Sequence, residues 1–432
     1  MIRLPDHIAS RIAAGGTLKP GEIRRLHREF GERVGTLISA SMENQNRLVR
    51  KLGPPPISDE RPAVWLGTRR AAEQSTPHRV AAVRAGWIAG DVRRVIDVCS
   101  GIGGDAIAIA RRGFELAAID ADPMMTSALE HNLIAATGSS AHRVVTGQVP
   151  MVDVAGDVLH VDPDRRDPDC RDGGADRRAT DADYFSPTLV DIIAMSKNFR
   201  ASIIQLAPAT RIDPTSFDGV SPSIRVWTSV GREVKTQDWL LGDLTAFEHV
   251  TQRDGAVDDA SDRIACVIGK AAAYFRGGTG GSCGKAEQIE PGMVMVDPDP
   301  AIRAAGLTEA FATAMNLRAI GGPAGFLIGP PDAQIDPPDA GTNQERLDRL
   351  AVTGRVIATG SVDDRRVRKM LRSNGVYAET IKVRGLSADP AKLRKRYGDR
   401  GKSDRNLEPA TLWLSRVGGE SNAVLTESNV IV

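Results

Sequence analysis

The feature that most limits how this chain can fold is Val95-Ile96-Asp97-Val98, followed at once by Cys99-Ser100-Gly101-Ile102-Gly103-Gly104-Asp105. A short apolar run that ends in a Gly-rich turn reads as a buried strand passing directly into a helix. The glycines permit a tight turn and let the backbone approach a ligand closely. Leu116 to Ile119 repeats the apolar run and ends at Asp120 and Asp122. A carboxylate at that strand end can accept both hydroxyls of a ribose. The alternation continues through Pro123 to Ala136, Val144-Val145, Val158 to Val161 and Ile203 to Leu206. It predicts an α/β fold with a doubly wound, Rossmann-like, mostly parallel sheet and ligands beyond the carboxyl ends of the strands. Ile224 to Val230, Glu233 to Leu241 and Arg263 to Ile268 read as strands without helices between them, so an antiparallel edge hairpin should finish the sheet.

On either side of this block the pattern changes. Residues 1–75 read as a helical N-terminal extension, in which Pro20 opens one helix with apolar Ile23, Leu26, Phe30, Val34, Leu37 and Ile38 at three- and four-residue spacing. The α/β domain is expected over 76–270 and a connecting segment with linkers over 271–351, because Gly277 to Gly284 and Gly321 to Gly341 are rich in Gly, Pro and Asp. A small α+β domain over 352–417 and a flexible tail over 418–432 complete the expected order.

Composition narrows the function classes. A net charge of +1 confines any nucleic-acid affinity to a local patch. Aromatics at 4% do not suit a surface that stacks many bases. Cys99, Cys170, Cys266 and Cys283 form no CxxC pair, so no metal site is expected and a reducing compartment fits. No apolar run long enough to cross a membrane and no N-terminal apolar leader is seen, which makes the cytoplasm the expected location.

The Gly-rich turn admits two readings. Gly101-x-Gly103-x-x-Ala106 with Asp120 downstream loosely fits a nicotinamide-dinucleotide fingerprint. Against it, Asp97 precedes the first glycine, where an acid suits a cationic ligand end rather than a pyrophosphate. No dehydrogenase-like His–acid pair is evident either. Methyl transfer from S-adenosylmethionine is the favoured reading.

Asp97 to Asp105, Asp120-Ala121-Asp122-Pro123 and Leu129-Glu130-His131-Asn132 resemble the successive cofactor motifs of class I S-adenosylmethionine-dependent methyltransferases, in the version found in the trimethylguanosine synthase branch. With Glu73-Gln74-Ser75-Thr76-Pro77, Asp162-Pro163-Asp164-Arg165-Arg166 and the chain from about 355, the resemblance narrows to bacterial methyltransferases carrying a C-terminal THUMP-like domain. It covers about residues 60–415. The resemblance implies S-adenosyl-L-methionine as cofactor, held by Gln74, Thr76, Asp97, Cys99, Ser100, Gly101, Gly103, Asp105, Asp120, Ala121, Gln148 and Asp162. It implies Asp162, Pro163, Arg165 and Arg166 at the acceptor. Two departures stand out. Arg165 occupies the place where aminomethylating relatives have an aromatic ring, and Thr146-Gly147-Gln148 replaces the acid expected at the adenine.

The acceptor is hinted at by charge. Arg365 to Arg405 holds 14 Lys/Arg and 4 Asp/Glu, a balance of +10 that suits phosphate tracking. RNA is therefore the expected partner, with a small-molecule methyltransferase and a non-catalytic RNA-binding protein as the alternatives. Asp164 to Pro187, rich in Asp and Arg, reads either as a substrate lid or as a solvated loop. His160 reads as a core histidine, Met124 and Met125 as core, and Cys99 as a packing residue rather than a nucleophile.

Overall fold

The computed structural model describes residues 2, 4–56, 63–149, 155–164, 185–212, 223–247, 250, 263–279, 282–321, 325–331, 349–398, 407–417 and 420–428. The chain divides into two units, Met1–Arg225 with Lys235–Arg253, and Val226–Val234 with Asp254–Val432.

The first unit opens with α1 (Asp6–Ala14), α2 (Pro20–Phe30) and α3 (Glu32–Leu52). The single helix expected from Pro20 is in fact two, because Gly31 takes φ +78, which no right-handed helix accommodates. Next come α4 (Arg69–Gln74), capped by the Thr68 hydroxyl, and α5 (His78–Ala85). The alternating core follows as β1 (Arg94–Val98), α6 (Gly104–Arg111), β2 (Glu115–Asp120), α7 (Pro123–Thr137), β3 (Arg143–Thr146), β4 (Val158–Val161), α8 (Leu189–Ser196) and β5 (Ala201–Leu206). β6 (Ser223–Val230) follows, belonging from Val226 on to the second unit, and then β7 (Glu233–Gly242), belonging from Lys235 on to the first.

β1 pairs in parallel with both β2 and β4. β2 extends to β3 and β4 to β5, also in parallel. Strand order therefore reverses between β1 and β4, and a crevice opens beyond their carboxyl ends. β7 lies antiparallel to β5. Every residue of β4 and β5 is buried, which is why both are mainly apolar rather than alternating. Ile96, Val98, Ile119, Leu159, Ile204 and Trp239 share one core cluster.

The second unit contains β8 (Arg263–Ile268) and β9 (Ala272–Gly277), an antiparallel pair. Beyond them lie β10 (Val294–Pro298), α9 (Pro300–Ala304), α10 (Thr308–Ala314), β11 (Arg318–Ile320), β12 (Phe326–Gly329) and β13 (Ala351–Ser361). The chain continues with α11 (Asp364–Ser373), β14 (Val376–Arg384), α12 (Pro390–Tyr397), β15 (Glu408–Val417) and β16 (Glu420–Glu427). Seven strands form one sheet in the order β11-β12-β10-β13-β16-β15-β14.

Two sequence expectations are corrected here. The segment 271–351 is not mainly linker: Ile302, Leu307, Phe311 and Leu327 pack with Trp227 in a core cluster. Its elements are short, and β12 falls inside a stretch whose glycines and prolines read as loop. The tail from 418 is not free either, because β16 pairs with β13 and β15. Ala423, Val424 and Leu425 are fully buried there, a run of three that was too short to register as a strand. Among the described residues, no helix is long and apolar enough to cross a membrane, and no cluster of His, Cys, Asp or Glu could hold a metal ion.

Candidate active site

Between β1 and α6 the backbone enters the left-handed region three times, at Cys99 (φ 61), Gly101 (φ 54) and Gly103 (φ 101). A side chain at Gly103 would place its Cβ 2.8 Å from Leu129 Cδ1, so both space and dihedral demand glycine there. Gly104 serves a different purpose. A Cβ on it would come within 2.6 Å of Ser75 Oγ and 3.0 Å of the Thr76 backbone, so its bareness lets the 74–76 segment lie against the start of α6. Asn132 on α7, wholly buried, fastens a further segment: its amide donates to the carbonyls of Leu66 and Ile102 at 2.9 Å and its oxygen accepts from Leu66 N at 2.8 Å.

These segments enclose a cavity of about 560 Å³, within the range of small-ligand sites. Gln74, Thr76, Asp97, Cys99, Ser100, Gly101, Asp105, Asp120, Ala121, Gln148, Asp162 and Pro163 all line it. Of the expected site residues Gly103 lies behind the lining, and Arg165 and Arg166 fall outside the described residues. So does most of the charged segment read as a lid or a loop (165–184). Its two flanks are described: Asp164 and Ser186 exchange backbone hydrogen bonds at 2.9 Å and both face the cavity.

The carboxylates of the site differ in their partners. Asp120 accepts from Gly101 N at 2.8 Å through one oxygen and from Asp122 N at 2.9 Å through the other. Burial raises its pKa above the ordinary range, although these two donors oppose the shift. Asp97, at the end of β1, is 1% exposed. Its Oδ1 lies 2.6 Å from His160 Nδ1, while its Oδ2 is buried with no hydrogen-bond partner. A buried carboxylate oxygen left unpaired is costly unless a ligand supplies a donor or a positive charge. His160 is buried within β4, as its core reading expects, but the ring also lines the cavity and its Nε2 is buried without a partner. Burial opposes a charge on this ring, but Asp105 and Asp97 outweigh it and raise its pKa.

Asp162 follows β4. One of its oxygens accepts from Gln205 Nε2 at 2.8 Å, and the same amide nitrogen lies 3.3 Å from the Thr76 hydroxyl. Sequence reasoning missed Gln205, yet a long polar side chain directly after Ile203-Ile204 in buried β5 was a usable signal. Arg84 was missed as well. Buried on the apolar face of α5 beside Val80 and Ala81, it donates to Asp105 and, at 3.0 Å, to Asp238. Burial disfavours its charge, but the two carboxylates overcome that and hold it fully protonated. Asp105 is correspondingly kept ionised: Arg84 and His160 outweigh its burial. Burial, then the charges of Asp120, Asp162 and Asp97, drive the Cys99 pKa far above its ordinary value. The thiol stays neutral and is no nucleophile. Met125 departs from its core reading, since it is half-buried and lines the cavity, and Met124 is likewise only half-buried.

The arrangement can receive a ligand with a positive end at Asp97 and vicinal hydroxyls at Asp120. In the second unit the cations of α11 and α12 face outward. Arg365, Arg366, Lys369, Arg372, Lys392, Arg394 and Lys395 are exposed and form no ion pair among the described residues, whereas Arg368 and Arg396 lie 3.0 and 3.8 Å from Asp364.

Comparison with known proteins agrees with this geometry. Residues 355–428 match the family model described as THUMP domain-like. A Mycobacterium tuberculosis protein, described as an uncharacterized S-adenosylmethionine-dependent methyltransferase and found in two strains, is 26% identical over 400 residues. The match spans 92% of this chain and 97% of the relative. A crystal structure from Porphyromonas gingivalis W83, assigned provisionally as a methyltransferase, superposes with a TM-score of 0.67 at 15% identity. It covers 99% of this chain and all of that one, and so shares its fold.

Proposed function

We propose that this S-adenosylmethionine-dependent methyltransferase, which carries a THUMP-like domain at its C-terminal end, transfers its methyl group to a nucleotide in RNA. One observation carries the choice of RNA: the unpaired cations on α11 and α12 in a chain whose net charge is only +1. A surface that served packing alone would gain nothing from such crowding of like charge. The cytoplasm is the compartment this reading assumes, because the cysteines are scattered.

The fit of the cofactor rests on the unpartnered Asp97 Oδ2, which is placed to meet a cationic group, and on Asp120, which retains lone pairs for hydroxyls. When bound, S-adenosylmethionine supplies a methyl group already activated on a sulfonium. The chain's own task is then alignment, an effect that can supply about 7–11 kcal/mol of barrier reduction. Gln74, Thr76, Ser100, Ala121 and Gln148 are proposed to shape the pocket, with the Gln148 amide oxygen accepting from the adenine amine. Asp162 and the Pro163 carbonyl are proposed to accept hydrogen bonds from the acceptor amine and aim its lone pair. Gln205 donates to one Asp162 oxygen and is proposed to hold the carboxylate in the orientation that the acceptor meets. Arg165 and Arg166 are proposed to contact the target nucleotide.

The test is the salt dependence of binding to a structured RNA. Each phosphate engaged adds about 0.7–0.9 to the slope of log K against log salt. Changing Arg394, Lys395 and Arg396 together to Glu is expected to flatten that slope by about two to three and to leave cofactor affinity unchanged. RNA binding that is absent, or insensitive to salt, would instead favour a small-molecule acceptor.

A further inference from the structure

Asp297, at the end of β10, is the meeting point of four cations. Arg303 of α9 reaches its Oδ1 at 2.7 Å and Lys382 of β14 its Oδ2 at 2.9 Å. Arg232 approaches Oδ2 at 2.8 Å and Arg384 approaches Oδ1 at 3.3 Å. The less exposed pair, Arg303 and Lys382, already satisfies the carboxylate. Arg232 and Arg384 are therefore surplus to its neutralisation, and among the described residues the cluster of four cations and Asp297 sums to +3. They are also its most exposed members, at 31% and 35%.

The surplus is held in place at a cost. Arg232 occupies the left-handed region at φ 63, directly after Gly231 at φ 57. An arginine there is strained where a glycine or asparagine would not be. Arg232 Nη2 is shared with the carbonyls of Asp297 and Pro298 at 3.4 and 3.3 Å. Arg384 lies 6.0 Å from the Phe326 ring and Lys382 5.4 Å from the Trp413 ring, so aromatic faces help to carry the charge. Burial comes first in lowering the pKa of Lys382 and of Arg303, and the neighbouring arginines add to it despite Asp297. Among the described residues, Asp297 is the one carboxylate that pairs with these four cations.

We infer that this cluster binds one phosphate group and, resting on the RNA reading above, that the group is a phosphodiester of the RNA backbone. Two guanidinium groups whose remaining N–H groups have no hydrogen-bond partner among the described residues, backed by a half-buried ammonium and a third arginine, suit bidentate recognition of phosphate oxygens. Asp297 acts as the counter-charge that keeps the four cations together when no phosphate is bound.

The full-length protein carrying Arg232→Gln and Arg384→Gln tests this. Fluorescence anisotropy with a labelled RNA hairpin gives affinity and salt slope, and thermal melting is followed with and without inorganic phosphate at fixed ionic strength. The double variant is expected to bind the hairpin at least tenfold more weakly, with a slope lower by about 0.7–0.9, the share of one phosphate. Its Tm in phosphate-free buffer should equal or exceed that of the unsubstituted protein, because like-charge repulsion is relieved. A purely structural hub would lower it. Inorganic phosphate should raise the Tm of the unsubstituted protein and not that of the variant. Unchanged affinity and slope in the variant would overturn the site while leaving the RNA reading intact. If the unsubstituted protein shows no salt-sensitive RNA binding, the RNA reading fails. Phosphate protection confined to the unsubstituted protein would then uphold an anion site for a free phosphorylated compound, and equal protection of both would overturn the site as well.

Discussion

The two units bury charge in opposite senses. In the first, Arg84 is set among Asp105 and Asp238, with Asp97, Asp120 and Asp162 nearby around the cavity. In the second, Asp297 is set among Arg232, Arg303, Lys382 and Arg384. Among the described residues each centre carries more of one sign than the other, and the part of that excess that is buried is expensive when uncompensated. The sign of the excess thus indicates the sign of the charge that each centre is suited to receive. The acid-rich cavity suits the cationic cofactor end proposed for it, and the cation-rich cluster suits the anion proposed there.

The largest expected effect that could break this comparison is at Arg84. Arg84→Met should destabilise the protein by about 3–5 kcal/mol at neutral pH, since Asp105 and Asp238 lose their counter-charge. The two carboxylates would then titrate with raised pKa values in the folded state. Their stabilising contribution is present at low pH and lost as pH rises through those values. Denaturant melts should accordingly show the deficit shrinking on acidification. A deficit independent of pH would mean that Arg84 acts through packing alone.

The mirror experiment is smaller. The cations outweigh burial and hold Asp297 at about 2, against an ordinary 3.8. Its stabilisation, about 2 kcal/mol, is therefore complete above pH 4 and lost as pH falls through about 2. Asp297→Asn should cost about that much at pH 7, and the gap to the unsubstituted protein should close in acid. Equal stability of the two at pH 7 would show that the four cations do not depend on this carboxylate.

A still smaller effect separates positioning from binding. Gln205→Leu removes the donor to Asp162 and should lower kcat by about tenfold, as for loss of one hydrogen bond to a charged group. Cofactor affinity should stay within a few-fold, and Gln205→Asn should restore less than the native activity. A change in cofactor affinity alone would move Gln205 from the acceptor side to the cofactor side.

How much of this was legible in the sequence follows from the range of the forces involved. β1, its Gly-rich turn and Asp120 were readable because apolar runs and glycines act locally. Arg84 and Gln205 were not, because their partners come from distant elements: Asp238 lies 154 residues beyond Arg84. No period encodes such a pairing. The same holds for Asp297 and Lys382, 85 residues apart. The helix break at Gly31 was a matter of one dihedral, which a glycine permits but does not compel. β16 was missed for another reason: a central strand buried on both sides needs only Ala423, Val424 and Leu425 to be apolar, and its remaining residues are polar. At Asp162 the motif exposed the residue, while its hydrogen-bond partner emerged only from the fold.

The central claim is that the first unit performs methyl transfer to RNA with Asp162 at the acceptor. It is tested most directly by incubating the purified full-length protein with radiolabelled S-adenosylmethionine and total RNA from a strain lacking it, then digesting the RNA to nucleosides. The account predicts one labelled methylated nucleoside, its yield reduced by about two orders of magnitude or more in Asp162→Ala while calorimetry shows cofactor affinity within a few-fold. Label that never enters RNA, or enters it equally with Asp162→Ala, would contradict the account.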